Sequence, residues 1–242
     1  MAEDRQQLVF MAKLAEQSER YDEMKEGMMQ IVELGPQLTL EEREMLSIAY
    51  KHCVGNRRTS SRIISAMEEK DANKKDPDSL EKIREYRVKV DEELKFLCEE
   101  IIRLLDMKLI PNAADDENLV YYNKMKGDYF RYLAECLPEP DRSKYAESSR
   151  ASYQTASEIA EKLSPTNPTR LGLALNYTVL QFEVLKQTEE ACKLAKKAFD
   201  DAIEQVDSLD EAHYKESSTI MQLLRDNLTT WTADMHVSTA DE

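Results

Sequence analysis

Across 242 residues, only five glycines and seven prolines interrupt a chain whose apolar residues return at helical spacing. The 33% of residues that are charged sit between the apolar ones, so each segment carries an apolar stripe and a polar face. This pattern predicts a nearly all-α fold. Short breaks separate the segments, at Gly35-Pro36-Gln37, Pro111-Asn112-Ala113-Ala114, Ser164-Pro165-Thr166-Asn167-Pro168 and Lys186-Gln187-Thr188. Thr39-Leu40-Glu41-Glu42 and Ser208-Leu209-Asp210-Glu211 read as capping boxes. Asp76-Pro77 opens another helix, and Asp141 reads as the cap after Pro138-Glu139-Pro140. The count comes to about nine helices, two of them near thirty residues (roughly 39–71 and 77–108). Short connections between helices favour antiparallel neighbours.

A hydrophobic fraction of 41% supplies a core, though a thin one for one compact globule, so a dimer interface is expected to add burial. No low-complexity linker divides the chain. It reads as one helical domain over residues 1–235 and a short flexible tail over 236–242. The net charge of -15 argues against nucleic acid and anionic membranes as partners, and no apolar run approaches a membrane span. Met1-Ala2-Glu3-Asp4 is neither basic nor apolar, so the chain reads as cytoplasmic with access to the nucleus. Cys53, Cys98, Cys136 and Cys192 are scattered without a CxxC, as reduced thiols used as small hydrophobes would be. No cofactor or metal site is expected.

Within this acidic chain, cations gather in two places. One is the Tyr50-to-Arg58 run and the other is Lys124-Met125-Lys126-Gly127-Asp128-Tyr129-Phe130-Arg131-Tyr132. At about 100° per residue, Lys51, Arg58 and Arg62 share one helix face within about 40°. Lys124, Asp128 and Arg131 share another. Arginine suits phosphate through its planar fork, and lysine adds a point charge. A phosphorylated partner is the best candidate anion, met by Lys51, Arg58 and Arg131 with a hydroxyl from Tyr132. Asp128 is placed to hold the guanidinium or Lys124. The competing reading is a set of solvated basic faces. Gly55, Gly127 and Gly172 stand within four residues of these positions, and a mid-helix glycine marks close approach of a ligand or a neighbouring helix.

Two later segments carry a mixed stripe. Asn176, Val179 and Glu183 share a face with Leu175 at its margin, and Ile220, Leu223, Asn227 and Trp231 align on another. An asparagine amide both donates to and accepts from a peptide backbone, and apolar neighbours hold side chains. Ordinary core would look the same. Asp200-Asp201-Ala202-Ile203-Glu204 superficially matches a DDxxD metal motif, but no second acidic motif pairs with it, and a solvated acidic face explains it better. His52, His213 and His236 are isolated, so no enzyme is expected.

These segments together resemble the 14-3-3 family over about residues 4–235. Further matching runs are Lys13 to Met24, Glu41-Glu42-Arg43, Ile83-Arg84-Glu85-Tyr86-Arg87, Arg170 to Asn176 and Ile220 to Trp231. The resemblance implies a cup-shaped helical protomer with an amphipathic groove, dimerising through its N-terminal helices as a homodimer or a heterodimer. It implies an adaptor that binds phosphoserine or phosphothreonine motifs of client proteins. It puts Lys51, Arg58, Arg131 and Tyr132 on the phosphate, and Asn176 and Asn227 on the peptide backbone. Leu175, Val179, Ile220, Leu223 and Trp231 shape the apolar side, with Lys124, Asp128 and Glu183 nearby. Leu14, Ser18, Arg20, Glu23, Ser60, Tyr86, Lys89 and Glu93 fall at the dimer contact, where Arg20–Glu93 and Glu23–Lys89 are expected to cross.

The chain departs from the family pattern at four places. Ser61 replaces a usual Trp, which is expected to leave a cavity or weaken association. Thr219 and Thr230 replace Leu on the apolar wall, and Gln181 replaces Tyr. Arg57-Arg58-Thr59-Ser60 also resembles a basophilic kinase site. The alternative function is a helical-repeat scaffold that binds unmodified peptides.

Overall fold

The computed structural model describes residues 2–70, 75–206, 209 and 211–238. Among the described residues the fold is all-α, with nine α-helices and no strand. In chain order they are α1 (Ala2–Gln17), α2 (Tyr21–Leu34), α3 (Leu40–Glu68), α4 (Pro77–Leu104), α5 (Asp116–Cys136), α6 (Asp141–Ala160), α7 (Pro168–Val179), α8 (Thr188–Ile203) and α9 (Glu211–Ser238). Their packing divides the chain into two compact units. One comprises Met1–Asn112 with Cys136–Pro138, and the other Ala113–Glu135 with Glu139–Glu242.

In the N-terminal unit, α2 packs on α1 and α3, and α3 packs on α4. Met24, Met28, Ile31, Leu46, Tyr50, Val54, Leu94 and Ile101 are fully buried between them. Each such side chain contributes roughly 1.5–3 kcal/mol over its exposed state. The Tyr50 hydroxyl and Lys25 both donate to Glu100 Oε1 at 2.8 Å, so the polar ends inside this core are matched.

The expected capping box at Thr39 is present. Glu42 N donates to Thr39 Oγ1 at 3.2 Å and Thr39 N to Glu42 Oε2 at 2.9 Å. Arg5 from α1 grips the same glutamate with Nε and Nη2, both at 2.8 Å, and reaches the carbonyls of Ile31, Gly35 and Gln37. One guanidinium thus ties three helices at the Gly35-Pro36 break. Asp76 caps α4 through Ser79 N, with Pro77 in the first turn as expected. The first long helix ends at Glu68, and the second ends at Leu104, short of 108, because the chain there widens into a π-turn (Leu105–Leu109) and a 3-10 turn (Ile110–Asn112).

Among the described residues of the C-terminal unit, the apolar side chains gather in three clusters. Val120, Tyr153, Ala156, Leu173 and Leu180 join α5, α6 and α7. Leu171, Ala195, Met221 and Leu224 join α7, α8 and α9. Ala191, Cys192 and Trp231 form the third. Asn167 starts α7 by accepting from Thr169 N and Arg170 N, with Pro168 in the first turn.

The cap of α6 differs from expectation. Asp141 is the first helical residue, and Glu139 does the capping by accepting from Ser143 N at 3.2 Å and Ser143 Oγ at 2.9 Å. A glutamate two residues earlier reaches the orphan donors that the shorter aspartate cannot reach from inside the helix. The capping box at Ser208-Leu209-Asp210-Glu211 lies partly outside the described residues.

Cys53, Cys98 and Cys192 are buried, Cys136 is half-buried, and all four are free thiols. Burial, then the nearby Asp22, pushes the Cys53 thiol up to about 12. Among the described residues, no helix is long and apolar enough to cross a membrane.

Candidate functional site

α5 aligns Lys124, Asp128, Arg131 and Glu135 at helical steps on one face of the C-terminal unit. Asp128 is its hub, with 7% exposure. Its Oδ2 accepts from Lys124 Nζ at 2.9 Å. Its Oδ1 accepts from the Tyr153 hydroxyl, from Asn176 Nδ2 at 2.7 Å and from Arg131 Nη2 at 3.5 Å. Asp128 therefore holds both the guanidinium and Lys124, the two alternatives raised by spacing alone. Arg131 also donates to Glu135 Oε1 at 2.8 Å and to the Tyr153 hydroxyl at 3.3 Å. Its guanidinium lies 4.8 Å from the centroid of the half-buried Tyr132 ring.

Burial works against the charge on Asp128, but Lys124 and Arg131 outweigh it and hold its pKa below the ordinary carboxylate value. Burial likewise opposes the Lys124 charge, and Asp128 overcomes it and raises the lysine pKa. Burial, then the Asp128 charge, pushes Tyr153 well above the ordinary tyrosine value, so its hydroxyl stays a neutral donor. The two cations and two carboxylates named here balance. Any anion bound at this face must therefore draw net attraction from elsewhere.

In the N-terminal unit, Lys51 and Arg62 are exposed on α3 and Arg58 is half-buried. Arg57, next in sequence, turns to Cys53 O, Asp22 and Glu93 and serves the scaffold. The structure thus gathers Lys124, Asp128, Arg131, Tyr132 and Asn176 in one unit, and carries Lys51 and Arg58 on one helix of the other. The three glycines separate. A Cβ on Gly127 would lie 2.6 Å from Tyr153 ring atoms, so packing requires that glycine. A Cβ on Gly172 would make an ordinary contact with Lys124, and one on Gly55 would meet nothing within 4 Å.

The apolar stripes differ in exposure. Leu223 is 48% exposed, whereas Trp231 is only 6% exposed and stacks on Phe182 at 4.6 Å. Trp231 is therefore chiefly core, with little surface left for a wall. Leu175 and Ile220 pack against the Leu171–Leu224 cluster, and Val179 against the Trp231 cluster. Asn227 is half-buried and Glu183 exposed. Thr219 and Thr230 are exposed, but their hydroxyls donate to their own helix, to Lys215 O and Asp226 O. This commits their donors within the helix.

All eight positions expected at a dimer contact are exposed. Arg20 pairs with Glu23 in the same chain, and Glu93 takes Arg57, so crossed pairs between protomers would have to share these partners. Ser61 is 4% exposed and donates to Asp91 Oδ1 at 2.6 Å, which gives its hydroxyl a partner. Asp200 and Asp201 are each taken by a lysine one turn earlier, at 2.6 Å. That arrangement is a solvated helix face with internal pairing.

Sequence reasoning missed Tyr153 and Glu135. Glu135 was within reach, one turn beyond Arg131. Tyr153 gave a weaker sign, a lone tyrosine in the small-residue stripe Ala146, Ser149, Ala156, Ala160 of α6.

A family model described as 14-3-3 protein matches residues 11–232. The 14-3-3-like protein GF14 omega of Arabidopsis thaliana is 51% identical, covering 100% of this chain and 95% of that protein. The 14-3-3 protein epsilon of Drosophila melanogaster is 51% identical, covering 98% and 91%. The checkpoint signal transducer rad24 of Schizosaccharomyces pombe is 51% identical, covering 98% and 88%. With a family model matched over most of its length and relatives identical at half of their positions, this chain belongs to the 14-3-3 family.

Proposed function

We propose that the protein is an adaptor that binds phosphoserine or phosphothreonine motifs of client proteins, and that it catalyses no reaction. Lys51, Arg58, Arg131 and Tyr132 hold the phosphate. Asn176 and Asn227 bond the peptide backbone. Lys124, Asp128, Leu175, Val179, Glu183, Ile220 and Leu223 shape the surrounding groove, Trp231 supports Val179 from the core, and the two units act as one domain over residues 1–235.

The observation that carries this reading is the buried, charge-balanced setting of Arg131. A phosphate dianion brings about -1.5 to -2 charges. The α5 cluster alone offers no net attraction, so in this reading the pull on the dianion comes from Lys51, exposed on α3, together with Arg58. Asp128 also orients Asn176, because an amide that donates Nδ2 to a carboxylate turns its Oδ1 away, toward a peptide N–H.

The protein works as a homodimer or as a heterodimer with related chains, through Leu14, Ser18, Arg20, Glu23, Ser60, Tyr86, Lys89 and Glu93. In support, Phe10, Met11, Ile63 and Val88 are apolar and more than half exposed in the same unit. Two linked grooves then raise affinity for doubly phosphorylated clients through effective concentration. Free thiols suit a reducing compartment, the cytoplasm with access to the nucleus.

The test is fluorescence anisotropy with an Arg-Ser-x-phosphoSer-x-Pro peptide and its unphosphorylated twin. Binding is expected for the phosphopeptide alone, falling about tenfold or more in Arg58→Ala, the cost of a charged hydrogen bond. Equal binding of both peptides overturns the reading and favours a scaffold for unmodified peptides.

A further inference from the structure

Tyr153 is fully buried on α6, with its ring against Gly127. Its hydroxyl donates to Asp128 Oδ1 and accepts from Arg131 Nε at 3.3 Å. Asp128 Oδ1 also accepts from Arg131 Nη2 at 3.5 Å. The Nε–Nη2 edge of the guanidinium is therefore closed by a tyrosine and a carboxylate that are bonded to each other. Glu135 takes one hydrogen of Nη1 at 2.8 Å. A guanidinium has five N–H donors. Beyond these three bonds, one hydrogen is left on Nη1 and one on Nη2.

We propose that Tyr153 is a positioning residue for phosphate capture, holding Arg131 so that this remaining pair of hydrogens is the one offered to the ligand. The proposal rests on the phosphopeptide reading above. Asp128 alone does not fix the guanidinium, because its bond to Nη2 is long and Oδ1 is shared with Asn176 and Tyr153. The hydroxyl supplies the missing constraint by giving Nε–H an acceptor that cannot move. Its ring is held by Gly127 on one side and stacks on Tyr177, with centroids 5.4 Å apart. Because the same hydroxyl restrains Asp128, it also bears on the orientation of Asn176. One group thus sets both the phosphate contact and the backbone contact.

Tyr153→Phe keeps the ring against Gly127 and removes only the hydroxyl. Binding of the Arg-Ser-x-phosphoSer-x-Pro peptide and its unphosphorylated twin is measured by anisotropy. The pH titration of the bound phosphate is followed by 31P NMR. Phosphopeptide affinity is expected to fall about tenfold, as when one charged hydrogen bond is no longer aligned. The second pKa of the bound phosphate is expected below its free value of about 6 in the wild type and closer to that value in the variant. A purely structural tyrosine would lower the melting temperature and leave affinity and the 31P profile of the folded variant unchanged, and that result overturns the proposal.

If the variant does not fold, the wild-type Arg131 Nε–H resonance decides the matter. It is expected to hold its shift on saturation with phosphopeptide, and a hydrogen bond from that N–H to the phosphate overturns the assignment. A wild type that does not distinguish the two peptides overturns the phosphopeptide reading itself. Unchanged binding by the variant beside a discriminating wild type overturns only the role of Tyr153.

Discussion

Gly55 and Gly127 sit in helix interiors, and the same substitution in each is expected to have opposite effects. Glycine in a helix costs about 1 kcal/mol against alanine, so Gly→Ala stabilises where there is room. At Gly55 a Cβ meets nothing within 4 Å, and the gain stands. At Gly127 a Cβ would lie 2.6 Å from Tyr153 Cδ1 and Cε1, well inside van der Waals contact. The ring cannot slide away cheaply, because its hydroxyl is bonded to Asp128 and Arg131 and it stacks on Tyr177. The helix backbone is equally committed, since Ser149 Oγ donates to Gly127 O at 2.8 Å in a buried setting.

Overpacking costs about 1–3 kcal/mol, and a pinned ring puts this site at the upper end. After the propensity gain, Gly127→Ala should be less stable by about 2 kcal/mol. At about 2–4 °C per kcal/mol for a chain of this size, Gly55→Ala should melt about 2–4 °C above wild type and Gly127→Ala about 4–8 °C below it. Differential scanning calorimetry on the three proteins reads this directly. A Gly127→Ala protein that melts at or above wild type would refute the packing argument and return Gly127 to the role of a ligand-approach glycine.

Asp128 has a depressed pKa when folded, so its contribution to stability is complete above its ordinary value of 3.8 and is lost as pH falls through the lower folded value. Urea midpoints followed from neutral pH to about 2 should show a shallower acid limb for Asp128→Asn than for wild type, and identical limbs would contradict the assignment. Arg5→Ala should destabilise the N-terminal unit by about 1.5–3 kcal/mol, because Glu42 and three backbone carbonyls lose a charged donor together. Hydrogen exchange of α1 and of the amides around Gly35 should rise, and unchanged protection would count against the staple. Ser61→Ala should cost about 1–2 kcal/mol by leaving Asp91 short of a donor, read from the urea midpoint; a neutral effect would mean that Arg87 alone satisfies Asp91.

Much of the fold was legible because it depends on neighbours along the chain. The capping box at Thr39, the Pro-initiated α4 and α7, and the helical period all act within a few residues. The end of α4 was not legible, since a π-turn after Leu104 continues the coil with a wider pitch that the apolar pattern does not mark. Within the site, Lys124, Asp128 and Arg131 were readable because they share a helix face. The burial of Trp231 was not legible, because whether an aligned tryptophan packs inward depends on Phe182, 49 positions away.

What this sequence determined by itself was an acidic, all-helical chain with two clusters of cations, and through its matching runs the family to which it belongs. What the tertiary structure decided was the partner of each charge. Coulomb energy depends on separation and burial, and both are set by how helices distant in sequence pack. Only packing could bring Tyr153 from α6 and Asn176 from α7 onto Asp128, and only packing could make Gly127 necessary while leaving room at Gly55.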